Sequence, residues 1–377
     1  MITRIKNGKV LINEIFCKTD IYIEDKFIKY IGGERAFDNC IDAEGNYVTA
    51  GFIDLHCHGG GGADFTDGSV ESVRIATNTH LEHGTTSVFP TVLSADSSVI
   101  EKAIFAIEEA KIELPSIAGI HIEGPYFSPN QTGAQNAKAL RKPTPKEYLG
   151  ILNKYKIARW DYAPELDDDF SFLDSLLENN VVAAAGHTDA TCEQMEAAAE
   201  RGCRLITHLY SCTSTIRREK GFRIAGVTEA AYLSDDICAE LIADGCHLPA
   251  TLLRLAYKQK GADKLALVTD AMRAAGTDHV GECEIGGVPC YIEDGVAKLL
   301  DRSAFAGSIA TVDRLVKTAI SVGISLEDAI KMVTKTPASI MRLDGKGEIS
   351  IGNDADIVIF DTDINVKSVI LEGKTVI

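Results

Sequence analysis

The sequence predicts an α/β protein: a (β/α)8 TIM-like barrel with a small β domain formed from both chain ends. Three observations predict it. Residues 1–50 and 345–377 carry short period-two or β-branched runs broken by Gly, Asp and Asn, as strands with turns do. Between them, eight apolar runs alternate with helix-length segments, the pattern of parallel strands joined by crossover helices. A chain of 377 residues also leaves room for a second domain beside a barrel of about 250 residues.

In chain order, Ile21-Tyr22-Ile23 precedes an Asp25-Lys26 turn, and Phe27 to Ile31 precedes Gly32-Gly33. A barrel domain spanning 51–344 follows. Its strands are expected to end near His56, Phe89, His121, Ala163, His187, His208, Asp244 and Asp270. Helical candidates run from Ser69 to His83, Ser97 to Lys111, Thr191 to Arg201 and Pro249 to Lys260. Residues 276–306 fit neither pattern and read as an insertion bearing a β-hairpin after the eighth strand. The trailing runs, Ala355 to Asp361 and Val366 to Leu371, are expected to pair with the leading ones.

A hydrophobic content of 45% and a charged content of 25% exclude a disordered, collagenous or disulfide-scaffold protein. The net charge of −17 argues against a nucleic-acid or anionic-membrane partner, which would call for a basic surface. It leaves room for a small anionic substrate held by a few local arginines. Neither a signal-peptide core after Met1 nor an apolar run of about 18 residues is present, so a cytoplasmic location is expected. The ten cysteines form no CxxC pair, which fits a reduced cytosolic enzyme.

Active sites of such barrels lie at the carboxyl ends of the strands. Six of the nine histidines (His56, His58, His121, His187, His208, His247) fall at or just after an expected strand end. His56 and His58, two apart, can share a face and meet one metal ion. His121 and Glu123 share a face in the same way; His121 is either an orienting residue or a ligand. Glu123, His187 and His208 complete a three-ligand site with an open position for water, the arrangement of a catalytic zinc. Asp270 serves as a metal ligand, as the general base, or as both in turn. His247 reads as substrate-binding, and Cys57 and Cys246 as packing.

Several blocks carry a resemblance: GFIDLHCHGG, GIHIEGPYFSP with TGAQN, AAAGHTDAT, ITHLYS, IADGCH, LVTDAM and AFAGS, in that order. Across essentially the whole chain the sequence resembles the N-acetylglucosamine-6-phosphate deacetylases of the amidohydrolase superfamily. The resemblance implies hydrolysis of an N-acetyl group to give glucosamine 6-phosphate and acetate, in amino-sugar catabolism, by a homodimer. It implies Glu123, His187 and His208 as metal ligands and Asp270 as the catalytic acid/base. Some family members add a second metal through the pair matching His56 and His58, so one or two divalent ions, zinc or iron, are expected.

Ala134, Gln135, His247, Phe305, Ala306 and Gly307 match substrate-contacting segments. Ser211 and Cys212 stand where the family often has Asn-Ala, leaving backbone amides to bind phosphate. Arg218 matches a phosphate-binding arginine that can come from the neighbouring subunit, with Arg217 and Arg223 as competitors. Three alternatives remain at this point: the galactosamine epimer, an amidohydrolase acting on another amide, and a non-catalytic assembly protein. The fourth strand end carries no lysine to be carbamylated, unlike many cyclic-amide hydrolases, and no predicted ligand is missing.

Overall fold

A computed structural model describes all 377 residues. Eight parallel strands form the barrel: Phe52–Cys57, Thr85–Val92, Ile120–Glu123, Ile157–Tyr162, Val182–Ala185, Leu205–Ile206, Cys238–Ile242 and Leu265–Val268. Each lies beside its neighbour in sequence, as short right-handed crossovers dictate. The ring closes between the first and eighth strands. There Asp270 N–H donates to the His56 carbonyl at 2.9 Å, and His58 N–H donates to Ala271 at 2.8 Å.

Helices follow where the apolar periodicity places them. Val70–Glu82 is capped by Ser69, whose side chain accepts from Ser72 N–H. Cys192–Arg201 begins in a capping box of Thr191 and Gln194, which satisfies two otherwise orphaned amides. Their apolar stripes and the outward faces of the strands make one large core, including Phe52, Val88, Trp160, Phe172 and Leu253. Inside the barrel a second cluster (Ile53, Leu55, Phe89, Ile242, Ala266, Val268) packs on Ala338 and Met341. Ala338 belongs to the short helix Lys335–Ile340.

The chain ends do pair. Tyr47–Ala50 lies antiparallel to Ile357–Phe360, with Val48 opposite Ile359. The resulting eight-stranded sheet buries its own apolar cluster, Ile5, Val10, Ile21, Ile23, Val48, Ile357 and Ile370 among it. After the eighth strand stands a meander of three strands, Gly281–Ile285, Val288–Glu293 and Val296–Leu299, one more than a hairpin. Two tight turns make it: Gly286-Gly287 and Asp294-Gly295 all have positive φ, the left-handed backbone that two-residue hairpin loops require. No helix is long and apolar enough to cross a membrane.

Candidate active site

The strand tips carry the site. His187, His208 and Asp270 all adopt positive φ, at 44°, 29° and 47°. Non-glycine residues rarely accept this conformation, and it concentrates at functional sites. The Asp270 turn is held from behind: Ser308 N–H donates to the Asp270 carbonyl at 2.8 Å, and Ser308 Oγ donates to Thr269 O at 2.6 Å. Gly307 fits here because a Cβ would sit 3.0 Å from that same carbonyl, at a φ of 80°.

Glu123 is the centre of the arrangement. Its Oε1 lies 3.2 Å from His187 Nε2 and 3.1 Å from His208 Nε2. His58 Nε2 is 3.4 Å from Oε2, and His56 Nε2 is 3.6 Å from Oε1. Asp270 Oδ1 lies 3.1 Å from His58 Nε2 and 3.5 Å from His56 Nε2. Three of the rings are tethered through the other nitrogen: His187 Nδ1 to Gln131 O at 2.8 Å, His58 Nδ1 to Thr91 O at 3.3 Å, and His56 Nδ1 to Glu240 at 3.4 Å. A ring held by Nδ1 presents its Nε2 lone pair.

The donor set fits a divalent metal. Glu123, His187 and His208 offer ligand atoms within 4.8 Å of one another, and so do His56, His58 and Glu123. The His56 and His58 Nε2 atoms face each other at 3.1 Å, and two such lone pairs are reconciled by a cation or a shared proton. Burial pushes the Glu123 carboxyl up, yet the surrounding histidines hold it well below the usual range. For Asp270 too, burial raises and the His58 hydrogen bond and His56 charge lower, leaving it at about 2. Both acids are therefore ionised at neutral pH.

A cavity of about 280 Å³ opens over this centre. It is lined by His58, Glu123, Ala134, Gln135, His187, His208, Ser211, Cys212, His247, Asp270, Phe305 and Gly307, all expected from the sequence, together with Leu93, Gly133, Tyr210, Ile285 and Ala304. His56 is fully buried beneath it. Gln135 donates to Glu123 Oε2 at 2.6 Å and accepts from Ser94 N–H, so it braces the carboxylate. His247 Nδ1 is tied to Asp244 at 2.8 Å, which leaves Nε2 for a substrate.

Besides His56, two expected residues are not in the cavity wall. Ala306 turns into the meander's apolar cluster with Cys290, Ile292 and Ala297. Arg218 lies on an exposed hairpin, Arg217–Glu219 against Phe222–Ile224. His121 proves an interior residue, 2.9 Å from both Asp161 and Thr91 Oγ1.

Sequence reasoning missed a charged layer inside the barrel, where Arg159, Asp161 and Glu240 are all fully buried. A charge within a buried strand must be paired, and that was the available signal.

A deep barrel with histidine and carboxylate donors converging at its strand tips defines a class, and sequence comparison agrees with it. The chain matches the amidohydrolase family over residues 47–376. It is 33% identical over 340 residues to the N-acetylglucosamine-6-phosphate deacetylase of Lysinibacillus sphaericus, covering 89% of this chain and 86% of that protein. It is 31% identical over 331 residues to the N-acetylgalactosamine-6-phosphate deacetylase of a Shewanella strain, covering 87% and 82%. The crystal structure of N-acetylglucosamine-6-phosphate deacetylase from Pasteurella multocida superposes with a TM-score of 0.93 at 29% identity, covering 100% of this chain and 99% of that one. A mutant Mycobacterium smegmatis enzyme in complex with N-acetyl-D-glucosamine-6-phosphate gives 0.91 at 27% identity, covering 100% and 99%. The chain belongs to the amidohydrolase family and, within it, to the N-acetylglucosamine-6-phosphate deacetylase group.

Proposed function

We infer that this chain hydrolyses the N-acetyl group of N-acetylglucosamine 6-phosphate to glucosamine 6-phosphate and acetate. The observation that carries the reading is the convergence of Glu123, His187 and His208 beside Asp270 at the floor of a sugar-sized cavity. Those three residues would hold one divalent ion, zinc or iron, and His56 and His58 with Glu123 a second. A bound ion of this kind polarises the acetyl carbonyl and brings the pKa of water toward neutrality.

The chain's own groups then move the protons. Asp270 Oδ takes a proton from the attacking water and returns it to the departing amine nitrogen, without which the amide would re-form. His247 Nε2, oriented by Asp244, is available to the substrate carbonyl oxygen. The phosphate needs a cation that the cavity wall lacks, since no lysine or arginine lines it. Arg218 and Arg223 make no ion pair within the chain, whereas Arg217 is tied to Glu219 at 2.7 Å, and of the two free arginines Arg218 is the one at the family's phosphate-binding position. The hairpin also exposes Ile216 and Phe222, at 61% and 75%. These features support a homodimer in which Arg218 of the partner subunit reaches the phosphate by bidentate hydrogen bonds.

The Shewanella relative supports a second reading, with the galactosamine epimer as substrate. Acetate release from both epimers and from unphosphorylated N-acetylglucosamine decides. Fast turnover of the phosphorylated gluco epimer is expected. A clear preference for galacto would select the second reading, and equal turnover without phosphate would remove Arg218 from the account.

A further inference from the structure

We propose that Glu240, clamped by Arg159, is the positioning residue for the His56–His58 half of the metal centre. The inference rests on the metal-centre reading and concerns a residue that reading does not use. Arg159 donates to both Glu240 oxygens, with Nη2 to Oε2 at 3.0 Å. It also donates to both Asp161 oxygens, at 2.8 and 3.0 Å. A planar guanidinium shared by two carboxylates fixes each of them in one orientation.

From that fixed position, Glu240 Oε2 faces His56 Nδ1 at 3.4 Å and accepts the backbone N–H of His208 at 3.3 Å. His56 Nε2 consequently faces Glu123 and Asp270, at 3.6 and 3.5 Å. A carboxylate that holds a proton on Nδ1 leaves Nε2 as the ligand atom and raises its basicity. Asp161 extends the device. It lies 2.9 Å from His121 Nε2, and His121 Nδ1 lies 2.9 Å from Thr91 Oγ1. The Thr91 carbonyl in turn faces His58 Nδ1 at 3.3 Å.

The layer is expensive to bury, because three ionised groups leave water together. Apolar side chains fill the adjoining interior without that penalty, as Ile53, Leu55 and Phe89 do. Holding a ligand ring in one tautomer is what the ionised layer adds.

The test is zinc affinity by chelator competition on the full-length chain, comparing wild type, Glu240→Gln and His56→Gln. In Glu240→Gln one amide N–H must face another donor, either Arg159 or His56 Nδ1–H. Arg159 still keeps Asp161, so the layer stays charge-balanced. Glu240→Gln should weaken about 10–100-fold the zinc-binding step that His56→Gln removes, and weaken any other step less, since His208 touches Glu240 only through its backbone N–H. Wild-type affinities in Glu240→Gln would overturn the proposal, as would His56→Gln binding like wild type.

Should Glu240→Gln not fold, nitrogen-15 NMR of the histidine rings in the metal-free wild type decides. A hydrogen-bonded proton on His56 Nδ1 supports the proposal, and a ring protonated on Nε2 alone overturns it. A wild-type chain that takes up no zinc would sink the metal-centre reading itself, and the ring measurement would then judge Glu240 alone.

Discussion

Along the first barrel strand Ile53 and Leu55 come before His56, along the second Phe89 before Thr91, and along the eighth Ala266 and Val268 before Asp270. The first member of each pair joins the dry cluster under Ala338 and Met341. The second joins the polar half around Glu123. Because all eight strands run parallel, sequence order becomes depth. The interior thus has an apolar half that holds the barrel together and a polar half that supports chemistry. Substitutions in the two halves should fail in different ways.

The largest effect is expected in the polar half. Asp270→Asn should lower kcat on the order of 10²–10⁴-fold, with metal content and melting temperature near wild type. Loss of metal in the same variant would show a ligand rather than a proton carrier. In the apolar half, Phe89→Ala removes a ring that is 1% exposed and should cost about 3–5 kcal/mol of stability. Turnover per folded molecule should stay near wild type. A Phe89 variant of normal stability and depressed turnover would erase the distinction between the halves.

The charged layer between them should show in acid. Burial pushes the Glu240 carboxyl up, but Arg159 and His56 bring it down to about 2. A lowered carboxyl stabilises the fold above its unfolded value of about 4.3. That contribution is lost as pH falls through the folded value. Denaturant titrations of the metal-free chain should therefore lose on the order of 3 kcal/mol from this group between those two values. Glu240→Gln should remove that part of the slope, and identical acid slopes would deny that Glu240 is ionised in the barrel.

The smallest effect is expected outside both halves. Arg218→Ala should raise KM for the phosphorylated sugar about 10–100-fold, the weight of a charge-assisted hydrogen bond, and leave the unphosphorylated sugar unaffected. An unchanged KM would break the link between the exposed hairpin and the phosphate.

The sequence discloses the polar half's rim because two local rules suffice. Apolar runs mark the strands, and a histidine or acid just past each run marks a tip, as at His187, His208 and Asp270. The deeper layer obeys a rule that is not local. Arg159 and Asp161, two apart, read as exceptions inside an apolar strand, and their partner Glu240 lies 81 residues from Arg159. Barrel closure brings the fourth and seventh strands together, and no spacing announces it. The helix Lys335–Ile340 escapes for another reason, since six residues are too few to display a helical period. Ala306 shows the limit of motif matching, because its neighbours Phe305 and Gly307 line the cavity while its own side chain points into the meander.

If the polar half works by holding a metal over the acetyl group, removing that metal must remove activity. Stripping the purified chain with a chelator and titrating zinc back, while following acetate release from N-acetylglucosamine 6-phosphate, tests it most directly. Activity should disappear on stripping and return to a plateau at one or two equivalents per chain. Full turnover in the stripped, metal-free chain would contradict that role for the metal.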